Sequence, residues 1–272
     1  SNSNGGGIYC YGNMTIEGCI ILNNESYTDN GGGIYCDYCS PTISDCLITS
    51  NLANNGEGGG ICCKSSSPTV IDCTIVGNVI QGYSTFKGAG LFVCDNSNPV
   101  FTNCLINNNI SNSYAEGSGG GGLYCRESTV TFNNCTITGN NTEFWGDGGG
   151  ILCGGGANLI FNNSILWGNF SDRGEGHQIY ASGSGINITF NYSDFANGDN
   201  DVVGITPVSS NSINSDPRFV NAAGENYRLS NSSPCIDTGS NTLIPSGIRT
   251  DIAGEDRIIN NIVDMGAYEF SP

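Results

Sequence analysis

Short stretches of the chain alternate apolar and polar residues with a period of two, as in Thr129-Val130-Thr131-Phe132 and Asn187-Ile188-Thr189-Phe190. Such alternation, rich in β-branched residues, predicts short strands with one buried face. Gly, Asn, Ser and Pro separate the stretches, and no window holds a sustained helical stripe. The stretches also recur in register. Cys19, Cys46, Cys73, Cys104, Cys135, Ser164 and Ser193 form one column, spaced by 27, 27, 31, 31, 29 and 29 residues. Asn24, Asn51, Asn78, Asn109, Asn140 and Asn169 form a second, five residues further on. A third follows the glycine clusters, running Cys10, Cys36, Cys63, Val93, Cys125, Cys153 and Ala181.

A fixed internal period means one structural unit stacked on copies of itself. Three short strands and their turns fill one period, which predicts an all-β parallel β-helix of about seven coils of 26–32 residues. The repeats occupy residues 1–198, and residues 199–272 are expected to form a closing segment continuous with the solenoid. The cysteines are read as small, stacked core residues. The asparagines suit tight bends with left-handed backbone angles, their amides bonding along the column. Glycine clusters fit bends or close backbone approach. Spare length from Gln81 to Phe86 and from Ser111 to Ser118 is expected to bulge outward as loops.

Composition narrows the partners. The formal net charge is −17 with only eight Lys and Arg, so nucleic acid and anionic membranes are disfavoured. Acidic polysaccharides are disfavoured too, unless a divalent cation bridges. No stretch approaches the ~20 apolar residues of a membrane span. Fourteen cysteines leave two readings open: stacked free thiols, or some disulfides involving Cys39, Cys62 or Cys94. Cys36 and Cys39 make a lone CxxC beside a single His in the whole chain, a poor zinc set.

Gly31-Gly32-Gly33-Ile34-Tyr35-Cys36 followed by Ser40-Pro41-Thr42-Ile43-Ser44-Asp45-Cys46 resembles the right-handed, single-stranded parallel β-helix repeat of bacterial and archaeal surface proteins. It is also similar to the repeats of chlamydial polymorphic outer-membrane proteins. Asp216-Pro217-Arg218-Phe219-Val220, Ser233-Pro234-Cys235-Ile236-Asp237-Thr238-Gly239 and Val263-Asp264-Met265-Gly266-Ala267-Tyr268-Glu269 resemble the closing segment of anchored, secreted β-helix proteins. The resemblance implies export and a right-handed β-helix. It implies no reaction.

Candidate chemistry is sparse in the sequence. Polysaccharide lyase or hydrolase activity would need acidic and basic residues clustered on one sheet face. The basic residues of the coils are Lys64, Lys87, Arg126 and Arg173, and none aligns with a carboxylate cluster. His177 reads as a turn or surface residue. No catalytic or cofactor residue is assigned; Asp199 and Asp201 are the calcium candidates, against a plain solvated acidic turn. Among ten Asn-x-Ser/Thr sequons, Asn13, Asn187, Asn191 and Asn231 lie outside the stacking column and are the glycosylation candidates. The expected role is non-catalytic and extracellular, at a cell surface or in a filament. Assembly would run head to tail through an open N-terminal coil, unless further coils of a longer chain precede it. A carbohydrate-binding adhesin is the alternative, and it would show a row of exposed aromatics along one face.

Overall fold

The computed structural model describes residues 5–27, 30–198 and 200–272. Its strands form a right-handed parallel β-solenoid with four strands per turn, not three. The turn Ile61–Lys64, Thr69–Ile71, Thr74–Val76, Val79–Gly82 shows the unit. Corresponding strands stack into sheets of eight, eight, seven and six strands. Six turns therefore carry all four strands, and a seventh and an eighth are partial, close to the seven expected. Among the described residues, helix is confined to two short 3-10 turns, Ala222–Gly224 and Asn241–Leu243.

Each sheet buries one column between the others. The first sheet contributes Ile34, Ile61, Leu91, Leu123, Ile151 and Ile179 together with the Cys36, Cys63, Cys125 and Cys153 column. The second places Ile43, Val70, Phe101, Phe132, Phe161 and Phe190 inward. Its four phenylalanine rings stack at 5.3, 5.1 and 4.4 Å. The third supplies Ile48, Ile75, Ile106, Ile137 and Leu166. The fourth points Ser26, Ala53, Ile80, Ser111, Thr142 and Ser171 inward. That largely polar column is why the fourth strand gives little hydrophobic signal in sequence.

The turn columns behave differently from their sequence reading. Left-handed angles fall one residue before the asparagines, at Asn23, Ser50, Gly77, Asn108, Gly139 and Gly168. The asparagines instead point inward and bond twice. Asn78, for example, donates its amide to Ile48 O and Asn109 Oδ1, while Asn51 N donates to Asn78 Oδ1. Gln178 ends the ladder in place of an asparagine, its Oε1 lying 2.7 Å from Asn169 Nδ2. At Gly60 a Cβ would lie 2.6 Å from Gly90 O and 3.0 Å from the Asn78 amide, so the ladder presses directly on the glycine column.

The Cys19 column is likewise not simple apolar filler. Backbone N–H groups donate from one coil to the next, Cys104 N to Cys135 Sγ and Cys135 N to Ser164 Oγ. Sulfur and hydroxyl do the same work there. All fourteen cysteines carry free thiols, and only Cys19 is exposed.

Parallel pairing continues beyond residue 198, through Val202–Val203, Val208–Ser210 and a bridge at Ile213. From Asp216 the chain does not stack onto that last turn. It runs back as a strap along the outer face of the third sheet. Ala267 N donates to Thr136 Oγ1, Gly266 N to Asn163 O, and Asn103 Nδ2 to Thr250 O. Ile165 beneath it is 1% exposed, whereas the corresponding Ile20 of the first turn is 69% exposed. The segment expected to close one end thus covers a flank, where it buries Ile165 and Cys235 together and hydrogen-bonds the outward Thr136.

Candidate functional site

Chain segments far apart in sequence meet on the outer face of the first sheet. Its central column runs Tyr9, Tyr35, Cys62, Phe92, Tyr124, Leu152 and Tyr180, one residue per turn. Tyr9 stacks on Tyr35 and Phe92 on Tyr124, at 5.5 and 5.3 Å. This column makes the floor of a shallow groove. One wall is built by the loops after the fourth-sheet strands, with Glu57, Lys87, Gly117 and Asp147. The other is built by the turns after the first-sheet strands, with Asp95, Arg126, Gly154 and Ser182.

Two adjoining clefts, of about 350 and 170 Å³, lie in this groove and share Lys87, Tyr124 and Arg126. Lys64 Nζ stands 4.0 Å and Arg126 Nη2 3.8 Å from the two oxygens of Asp95. Lys87 Nζ lies 4.7 Å from the centre of the Tyr124 ring. Burial pushes Glu57 up to about 7, against the pull of Lys87, Arg126 and Lys64. Burial also lowers Lys87, with Glu57 opposing the shift and Arg126 adding to it. Further along the wall Arg173 lies 3.6 Å from Asp147. The sequence aligns none of the coil cations with a carboxylate cluster; in three dimensions Lys64 and Arg126 share the single carboxylate of Asp95, and Arg173 meets that of Asp147. Lys64 closes a strand, Lys87 sits in a loop and Arg126 in a turn, so no repeat column aligns them. Their convergence exists only in three dimensions.

The loops of this wall carry aromatics on their outer side. Tyr83, Tyr114, Phe144 and Trp145 are 88, 48, 43 and 56% exposed. Tyr83 stacks on Tyr114 at 5.3 Å and Tyr114 on Phe144 at 4.2 Å, one ring per turn. The next turn adds exposed Phe170, stacked on His177 at 5.1 Å. His177 is structural as well: its Nδ1 accepts from Ser171 N. The spare loop length marked where such a row would emerge; its alignment needed the coil register.

Other candidates are dispersed. Asp199 lies outside the described residues, and Asp201 Oδ2 accepts from Gly198 N within its own turn. Among the described residues no group of three or more His, Cys, Asp or Glu could hold a metal ion. Asn13, Asn187 and Asn231 are exposed, but Asn191 donates its amide to Asn162 Oδ1 in a surface stack. Cys39 sits beside the first-sheet ladder, where hydrogen bonding to Cys36 pulls its thiol down to about 6. No described helix is long and apolar enough to cross a membrane.

The family described as "Right handed beta helix region" matches residues 1–111. Among solved structures the chain is similar to the crystal structure of pectate lyase Pel9A, at 14% identity and a TM-score of 0.42. That alignment covers 95% of this chain and 87% of that one. No curated protein matches the chain in a sequence comparison. The repeat and the sheet registers give the chain the fold of a parallel β-helix, and the family match over its first 111 residues agrees with a right-handed one.

Proposed function

We propose that the protein acts outside the cell as a non-catalytic, glycan-binding solenoid of a surface or matrix. The observation that carries this reading is the exposed row Tyr83, Tyr114 and Phe144, in ring contact at coil spacing, with exposed Trp145 beside it. A contiguous exposed aromatic patch marks an interaction surface. Rings of this kind offer flat apolar area with polar edges, suited to the C–H faces and hydroxyl rims of sugars. The chain's net charge of −17 argues against nucleic acid as the stacking partner.

The test is oligosaccharide binding by the wild type and by Tyr114→Ala. The variant is expected to lose about tenfold in affinity, ~1.4 kcal/mol, with its unfolding temperature kept. Retention of no oligosaccharide, or indifference to the substitution, would sink the proposal. Regular filaments in electron micrographs of the purified protein would then favour end-to-end structural assembly.

A second reading, polysaccharide cleavage, is favoured by the half-buried Glu57 and Lys87 in one groove, whose shifts bring both toward neutral pH. Release of new chain ends from a polysaccharide, abolished in Lys87→Met, would establish it in place of the non-catalytic role.

A further inference from the structure

Charge is distributed unevenly over this molecule. The chain has eight cations against 25 acidic residues, yet both of its lysines and Arg126 converge on one groove. Among the described residues that line the two clefts, these three cations meet Glu57, Asp95 and Asp147. Asp147 is itself paired with Arg173, so four cations stand against three carboxylates and the groove carries a local positive excess on an acidic protein. A cleft lined by one sign of charge between low-dielectric walls concentrates ligands of the opposite sign.

The ion pairs in the groove are loose. Lys64 and Arg126 approach Asp95 only to 4.0 and 3.8 Å, and both keep nearly half of their side chains exposed. Lys87 joins none of the four ion pairs found among the described residues. Lys87 is half-buried with its ammonium over the Tyr124 ring, and Glu57 stands on the same wall without reaching ion-pair contact. Lys87 and Arg126 also border both clefts, so one anionic group between them would touch both cations.

We propose that the first-sheet groove is a binding site for an acidic saccharide, its carboxylate or sulfate held by Lys87 and Arg126 with Lys64 beside them. This rests on the glycan reading above and narrows it to charged glycans at a surface distinct from the aromatic row. A guanidinium gives planar, two-pronged recognition of either oxyanion, while an ammonium acts as a point charge. The walls run along the solenoid axis, which suits a linear chain lying across several coils.

Two measurements separate failure of this inference from failure of the glycan reading. The first is the unfolding temperature in sulfate, acetate and chloride at equal ionic strength, for the wild type and for the double variant Lys87→Met, Arg126→Met. Methionine keeps much of the aliphatic contact with the floor and removes the charge. A specific rise with sulfate or acetate, absent from the double variant, supports an anion site even if no sugar binds. The second is calorimetric titration with neutral, carboxylated and sulfated oligosaccharides of matched length. An acidic oligosaccharide should bind at least about tenfold tighter than the neutral one, weaken with salt, and lose that preference in the double variant. Carboxylated and sulfated probes decide which oxyanion is preferred. If neither anions nor acidic oligosaccharides show any preference, or if the double variant behaves as the wild type, the inference is overturned.

Discussion

At the scale of single residues, the chain spends its asparagines on inward ladders rather than on bends. Asn109 is fully buried; its amide donates to Ile75 O and Asn140 Oδ1, and its Oδ1 accepts from Asn78 N and Nδ2. Alanine there strands the Ile75 carbonyl and the Asn78 N–H inside a dry core. Each buried group left without a partner costs about 1–3 kcal/mol, so Asn109→Ala should lower stability by about 2–4 kcal/mol. Asn24, partly exposed, only donates to Asn51 Oδ1, which still accepts from Asn24 N after truncation. Asn24→Ala should therefore cost less than about 1 kcal/mol. Urea unfolding of the two variants checks the contrast, and equal losses would show that the ladder is not where the stability lies. The column was legible in sequence. Its role was not, because an asparagine in a left-handed turn and one just after it leave the same letter at the same spacing. The preceding Asn, Ser and Gly positions were the signal that could have separated them.

At the scale of elements, the two cysteine columns solve different problems, and the residues that replace cysteine in each reveal which. Val93 and Ala181 replace it on the first sheet, where an apolar side chain can stand in the same buried position. Ser164 and Ser193 replace it at the turn, where the side-chain atom accepts a backbone N–H from the neighbouring coil. Cys135→Ser should therefore leave stability within about 1 kcal/mol of the wild type. Cys153→Ser places a hydroxyl among apolar neighbours and should cost about 1–3 kcal/mol. Thermal unfolding of the pair tests the distinction; a Cys135→Ser variant as unstable as Cys153→Ser would remove it. The substitution pattern stood in the sequence beside the spacing, so this property was readable there. The fourth strand was harder to see. Its inward residues Ser26, Ser111, Thr142 and Ser171 are polar, Thr142 and Ser171 donating their hydroxyls to Gly146 O, and they lack the apolar alternation that identifies a strand.

At the scale of the whole molecule, the groove and the strap both depend on non-repeating residues, which is why column alignment reveals neither. The strap's hold on the solenoid centres on Arg257, 1% exposed on its side chain and paired with Glu269 at 2.6 Å. Arg257 also reaches Ala267 O and Asn103 Oδ1, tying strap to coil. Glu269 Oε1 accepts from Arg257 and from Asp264 N, while Oε2 has no partner. Burial pushes Glu269 up to about 7 and Asp194, beneath Cys235, up to about 6; Arg257 pulls Glu269 down. A carboxyl whose folded pKa lies above its unfolded value favours the folded state while protonated, and that advantage is lost as pH rises through the folded pKa. Arg257→Met removes the opposing cation and leaves an unpaired buried carboxylate, at a cost of about 3–5 kcal/mol for breaking a buried pair. The loss should be greatest above the pKa of Glu269 and smaller at pH near 5, where the carboxyl takes up a proton. Limited proteolysis should thus release the segment after Asp216 from the variant quickly at about pH 8 and more slowly at about pH 5, relative to the wild type at each pH. Cleavage of the variant at the same relative rate at both values would show that Arg257 packs the strap without governing the charge of Glu269.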